Sequence, residues 1–177
     1  KMWVEKLNQI EGRLRRRLLR SPKVKKLAII GGEPGIHPDF LGILNGLDNN
    51  WMVTVTSNLS APVFSNIDTF LKQIKRKRRL KFNVSFHPSF SRIDDFIDKV
   101  IALKRGKIRV HHIFCVAYPP DDLTKVKEIK ERFAKKGLNI EIQRYTGFHN
   151  NELYPKEESG IKYEFEDGIN DYRLYQE

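Results

Sequence analysis

The chain has one cysteine in 177 residues. That single thiol, Cys115, excludes an intramolecular disulfide, a Cys-rich zinc site and any metal cluster that needs three or four thiolates from this chain. No apolar run approaches the roughly 18 residues of a membrane-spanning helix, so no membrane partner is expected. The opening stretch, Lys1-Met2-Trp3-Val4-Glu5-Lys6, lacks the continuous apolar core of a signal peptide. Together with the lone thiol, these absences favour a reducing cytoplasm. A start at Lys rather than Met hints at a piece excised from a longer chain. Acidic residues are scarce: 22 Asp+Glu against 33 Lys+Arg give a net charge of +11, which raises nucleic acid or another anion as a partner.

What is present reads as one α/β unit. The hydrophobic fraction of 40% and the charged fraction of 31% suit a globular chain, and the length suits one domain. Trp3, Val4, Leu7, Ile10, Leu14 and Leu18 follow the helical period, and Ser21-Pro22 closes that helix. Five strands are expected to start near residues 24, 51, 80, 107 and 138, each interval carrying one amphipathic helix. Pro38 suits the first position of the helix after strand one. Ser91 is the expected cap of the helix after strand three, and Asp121 or Asp122 of the one after strand four. Gly137 suits the exit from that last helix.

Strand and helix alternating at this spacing mark βαβ units and a parallel sheet. A flat sheet covered on both faces needs strands that are apolar throughout. Here Leu80, Phe82, Val84 and Phe86 alternate with Lys81, Asn83, Ser85 and His87. Val53 and Val55 alternate with Thr54, Thr56 and Asn58; Ile140 and Ile142 alternate with Glu141, Gln143 and Tyr145. The pattern implies one greasy face and one polar face. It favours an open, partial TIM-type (β/α) barrel of about five parallel strands with a wet concave side. Residues 1–149 form this unit, and residues 150–177 read as an appended extension with a hairpin around Asp167-Gly168.

Ligands of parallel α/β architectures sit at the C-terminal strand ends. The least generic stretches of the chain fall there: Gly31-Gly32-Glu33-Pro34, Thr56-Ser57-Asn58, Ser85-Phe86-His87-Pro88-Ser89, Cys115-Val116-Ala117-Tyr118-Pro119-Pro120 and Arg144-Tyr145-Thr146-Gly147-Phe148. Gly31 and Gly32 let the backbone turn tightly or approach a ligand without a Cβ in the way. Glu33 adds a carboxylate, and Pro34 stiffens the turn.

Leu27-Ala28-Ile29-Ile30-Gly31-Gly32-Glu33-Pro34-Gly35-Ile36-His37-Pro38-Asp39-Phe40 closely resembles the second strand and following turn of radical S-adenosylmethionine (SAM) enzymes. The 51–59 strand, ending in Thr56-Ser57-Asn58, is similar to the third strand of that family, and the helix at Trp3-Val4-Glu5 to the helix between its first two strands. The likeness runs from about Trp3 to Phe148. It implies that Gly31, Gly32, Glu33 and Pro34 bind the amino group of the SAM methionine, where carboxylate and carbonyls would pair with an ammonium. It further implies Ser85 and His87 beside the ribose and methionine carboxylate, Val116, Ala117 and Tyr145 flanking adenine, and Asn58 near SAM or substrate.

The likeness breaks at one point. In the family, three cysteines of a Cys-x3-Cys-x2-Cys loop after the first strand hold a 4Fe–4S cluster, and a reductant delivers the electron that cleaves SAM to a 5′-deoxyadenosyl radical. This chain has neither that first strand nor that loop, and Cys115 lies within the fifth strand of the family order. The resemblance therefore implies a fragment or truncated form of a radical SAM enzyme, inactive by itself, whose cluster cysteines lie upstream. The alternative is a relative without the cluster, acting as a binding module. Substrate and reaction outcome are not implied; an anionic substrate or RNA fits the charge.

A third possibility, a basic nucleic-acid-binding α/β domain, rests on Arg13-Leu14-Arg15-Arg16-Arg17 with Arg20, and on Lys75-Arg76-Lys77-Arg78-Arg79. The competing account is a solvated helix face and a helix C-terminus that favours cations. No stacking motif or helix-turn-helix pattern accompanies these runs. His37 and His87 sit at strand ends and can converge. His111 and His112, adjacent on a strand, should point to opposite faces. No metal site is expected from them, and Cys115 reads as a small core residue.

Overall fold

The computed structural model describes residues 4–9, 25–88, 90–118, 123–143 and 145–154. Five strands lie side by side in chain order: β1 (Lys25–Ile29), β2 (Trp51–Ser57), β3 (Leu80–Phe86), β4 (Arg109–Val116) and β5 (Glu141–Gln143). Every neighbouring pair is parallel. The helices are residues 4–9 (α1), α2 (Phe40–Gly46), α3 (Ile67–Gln73), α4 (Ile93–Arg105) and α5 (Leu123–Lys135). The strand starts at Trp51 and Leu80 fall where alternation places them; β1, β4 and β5 begin one to three residues later than expected.

Strand order determines where the helices go. Parallel crossovers are right-handed, and a strictly sequential order steps every crossover the same way, so all connections pack on one face. Burial agrees. Val53, Val55, Leu80, Phe82 and Val84 are fully buried against Leu44, Phe70, Phe96, Leu103 and Phe133 from the helices. Phe64, in the turn before α3, fills the centre edge-on to Phe70 at 5.0 Å and to Phe82 at 6.0 Å. The alternate residues Thr54, Thr56, Lys81 and Asn83 face the other way and remain partly exposed.

A bulge keeps this two-faced pattern in register. Lys81 pairs with Arg109 and Phe82 with Val110, but Asn83 pairs with His112, leaving His111 as the extra residue. Val110 and Ile113, three residues apart, thus stay level with Phe82 and Val84, and His112 joins Asn83 on the polar face. The histidines do not diverge as simple alternation suggests: the bulge brings their rings to 4.1 Å, edge to face.

Helix entries differ from the sequence expectation in two places. Pro34, not Pro38, takes the first position of a helical turn, the 3-10 turn Pro34–Ile36, and α2 starts after Asp39. Arg92, not Ser91, precedes α4, and the buried Ser91 hydroxyl has no hydrogen-bond partner. Gly137 does end α5, at φ 68°, with Leu138 N–H donating to Phe133 O at 3.0 Å. Asp121 and Asp122 lie outside the described residues.

A hairpin follows the sheet. β6 (Gly147–His149) and β7 (Glu152–Tyr154) pair antiparallel around Asn150 and Asn151, both left-handed at φ 51° and 62°. A two-residue turn with two positive φ angles matches strand twist, and Asn tolerates it. The hairpin expected at Asp167-Gly168 and the strip of helix beyond Gln9 lie outside the described residues.

Candidate functional site at the C-terminal strand ends

The loop after β1 and the end of β2 are tied into one unit by Glu33. Its carboxylate accepts from the Ser57 hydroxyl at 2.8 and 3.0 Å, from Asn58 N–H at 2.7 Å and from Gly35 N–H at 3.0 Å. Ser57 Oγ in turn accepts from Leu59 N–H at 2.9 Å, and Asn58 Oδ1 from Ser60 N–H at 2.9 Å. Lys99 of α4 reaches over to Leu59 O at 2.9 Å. Leu59 itself is held at φ 57°, a conformation that this network maintains.

Gly31 and Gly32 adopt φ 98° and 40°, and a Cβ at either would meet nothing within 4 Å. Glycine is needed there for backbone shape, and the space above it is open. Gly35 is the opposite case: a Cβ would lie 2.6 Å from the Phe64 ring and 2.8 Å from Ala61. Pro34 starts the turn that lowers Gly35 onto that ring.

The other expected site residues fall into two further groups. At the end of β3, Ser85 and the next residue but one, His87, come together, with His87 Nε2 3.1 Å from Ser85 Oγ and the Phe90 ring 6.0 Å from the imidazole. On β4 and β5, Val116 pairs with Gln143, and Ala117 N–H donates to Gln143 O at 2.9 Å. Tyr145 stacks edge-on to Tyr118 at 5.2 Å and donates to Phe148 O at 2.7 Å. The three groups follow the ends of adjacent strands. With neighbouring strands about 4.8 Å apart, β1 to β5 spans about 19 Å. The niche between β4 and α5 holds about 10 Å³, room for one water.

Two features of this rim escape sequence reading. One is an aromatic group in which His149 Nδ1 lies 3.1 Å from Tyr118 Oη and Tyr154 closes on Tyr145 at 6.3 Å. Only the hairpin brings it together; the Asn150-Asn151 pair was its signal. The other is exposed apolar surface. Ile30 (72% exposed), Ile36, Phe90, Tyr118, Phe148 and Leu153 all follow strand C-termini or lie on the hairpin.

The remaining candidates resolve simply. His37 Nδ1 accepts from Asp39 N–H at 3.1 Å, and no group of three metal-ligating side chains occurs among the described residues. The neighbouring His112, with burial, Lys81 and Arg109 behind it, holds His111 below the usual imidazole pKa. Cys115 lies on the helix-facing side of β4 beside Phe86, and burial pushes its thiol up to about 11. A protonated, buried thiol is a poor nucleophile. No protein family, curated protein or solved structure matches this chain.

Proposed function

We propose that this chain is the SAM-binding core of a radical SAM-type partial barrel, with SAM laid across the C-terminal strand ends. The observation that carries the reading is the open Gly31-Gly32 backbone beside the Glu33–Ser57–Asn58 knot, at the end of a sequential parallel sheet with one polar face. Nothing lies within 4 Å of where a Cβ would stand on either glycine, which leaves room for an ammonium beside their backbone. Each carboxylate oxygen of Glu33 can accept twice, and its protein partners leave room for a further donor. Ser85 and His87 offer hydroxyl and imidazole to a ribose or carboxylate. Val116, Ala117 and Tyr145 offer apolar and aromatic surface to a base. The outer edge of β1 pairs with no strand among the described residues, and a strand from further upstream in a longer protein would continue the barrel there.

The cluster is a different matter. A 4Fe–4S cluster supplies the electron for SAM cleavage, but the donors of this chain do not fit it: one buried thiol with a raised pKa stands where three thiolates are required. Radical formation is therefore assigned only to a longer protein with Cys-x3-Cys-x2-Cys upstream. A cluster-less binding module is the second reading, favoured by the same single thiol.

Calorimetric titration of SAM into this chain tests the binding core. Saturable heat, weakened by His87→Ala or Gly32→Val, is the expected result. No saturation at millimolar SAM would overturn it. The encoded sequence upstream of Lys1 then separates the two readings, since only the first requires the three cysteines.

A further inference from the structure

The opposite end of the sheet carries a second surface. The turn between α3 and β3 and the turn between α4 and β4 enclose an open cleft of about 530 Å³. Its walls are Lys75, Lys77, Arg78, Arg79 and Lys107, over a floor of Asn49, Ile74 and Arg76. The first residues of β3 and β4 extend the charge onto the polar face, where Lys81 pairs with Arg109. Between Asp68 and Asp94 the chain contains no acidic residue.

These cations are neither scattered nor neutralised. Among the described residues, none of Lys75, Lys77, Arg78, Arg79 or Lys107 forms an ion pair. Arg76 differs, because it is 7% exposed and spends its guanidinium on the carbonyls of Leu47, Asp48 and Trp51. It fixes the 75–79 turn to the α2–β2 corner, a positioning residue for the rest. Burial, with Arg79 next in weight and Asp48 opposing, lowers its pKa from the ordinary arginine value. Lys107 is fixed too, at φ 64° directly after Gly106, whose absent Cβ would lie 2.5 Å from the Leu71 side chain.

We infer that this cleft is a docking surface for a single-stranded nucleic acid, gripped by its phosphates without base or sugar reading. Three properties select that partner. A cleft of this size takes a ligand of a few hundred daltons, so a short run of backbone enters and a duplex does not. An acidic peptide would need an apolar anchor, and the one apolar lining residue, Ile74 in the floor, is 3% exposed. A membrane surface would need apolar insertion beside the cations, and the exposed large apolar side chains lie at the other rim. Phosphate contacts need only unneutralised cations, because released counterions supply the free energy. This surface is independent of SAM binding and can fail or stand separately.

Fluorescence anisotropy of a labelled oligouridylate of about 12 nucleotides, titrated with the full chain at several salt concentrations, tests the assignment. Log affinity should fall linearly with log salt, and an oligodeoxythymidylate should bind equally. The triple variant Lys75→Ala, Arg78→Ala, Lys107→Ala changes only exposed side chains. It should lower affinity at least about tenfold at low salt and the salt slope by about 2. A charge-matched control on α5, Lys127→Ala, Lys130→Ala, Lys135→Ala, should leave both near wild type, with circular-dichroism melting curves unchanged in all three proteins. Absence of salt-dependent binding, equal loss in both triples, or displacement by polyglutamate as effective as by the oligonucleotide overturns it.

Discussion

The Ser57 hydroxyl lies between the two carboxylate oxygens of Glu33, at 2.8 and 3.0 Å, and so joins the loop after β1 to the end of β2. Whatever Glu33 offers a ligand, it is first a structural acceptor for three donors of its own chain. Glu33→Ala strands the Asn58 and Gly35 amides and the Ser57 hydroxyl. At about 1–3 kcal/mol for an unsatisfied group, partly relieved by water at this half-exposed site, the loss should be about 2–3 kcal/mol. Urea unfolding should show a lower midpoint with an unchanged slope. Glu33→Gln keeps one acceptor oxygen and should lose less. A wild-type midpoint for Glu33→Ala would mean that the knot contributes nothing in solution.

The glycines after β1 should both resist substitution by alanine, for different reasons that a core spectrum separates. Gly35→Ala puts a methyl group into the Phe64 ring, which is fully buried, and overpacking of this kind costs about 1–3 kcal/mol. Gly31→Ala meets no atom but must hold φ 98°, a strain of about 1–2 kcal/mol. Gly35→Ala should therefore perturb the Phe64 ring resonances of the core. Gly31→Ala should lower the melting temperature and leave those resonances in place. Identical core spectra for both variants would contradict this division.

The sheet was legible in the sequence because its cause is local. Alternation in residues 51–58 and 80–87 marks one buried face, and loop glycines punctuate it. The wiring of the site was not. Glu33 reads as a free carboxylate until β2 brings Ser57 and Asn58 to it, 24 and 25 residues on. The β4 bulge was hidden because Val110-His111-His112-Ile113 has no glycine to announce it. Ser91 failed as a cap although its residue type was right: α4 begins one residue further on, after Arg92, and the Ser91 hydroxyl is buried without a partner. The five cations of 75–79 look alike in sequence; only the fold separates the buried Arg76 from the exposed Lys75 and Arg78.

Arg76 should tolerate no replacement. Its two terminal nitrogens reach Leu47 O at 2.5 Å, Asp48 O at 2.7 Å and Trp51 O at 2.8 Å, closing the C-terminal end of α2 onto β2. Lysine carries the charge but not the planar fork, so Arg76→Lys should leave carbonyls unmet. Loss of about 2–4 kcal/mol is expected for Arg76→Ala and nearly as much for Arg76→Lys, read from urea midpoints. Arg78→Ala, two residues away in the same turn but exposed, should change stability by less than about 0.5 kcal/mol. Equal effects at the two positions would show that the buried fork is not what anchors the turn.

Cys115 supplies a pH signature with a definite sign. Its thiol stays protonated in the folded chain to about 11, whereas the unfolded thiol ionises around its ordinary 9.0. The folded state thus holds a proton that the unfolded state releases between those values, and stability falls as pH rises through that window. Below it the contribution is complete. Cys115→Ala removes the titration and leaves a small cavity whose cost does not depend on pH. The stability advantage of the wild type over Cys115→Ala should therefore shrink by about 2 kcal/mol between about pH 8 and 11. In parallel, a thiol reagent at about pH 8 should label the native chain far more slowly than the urea-unfolded chain, because burial withholds both access and thiolate. A constant difference across the pH series, together with rapid native labelling, would place the thiol in solvent rather than behind β4.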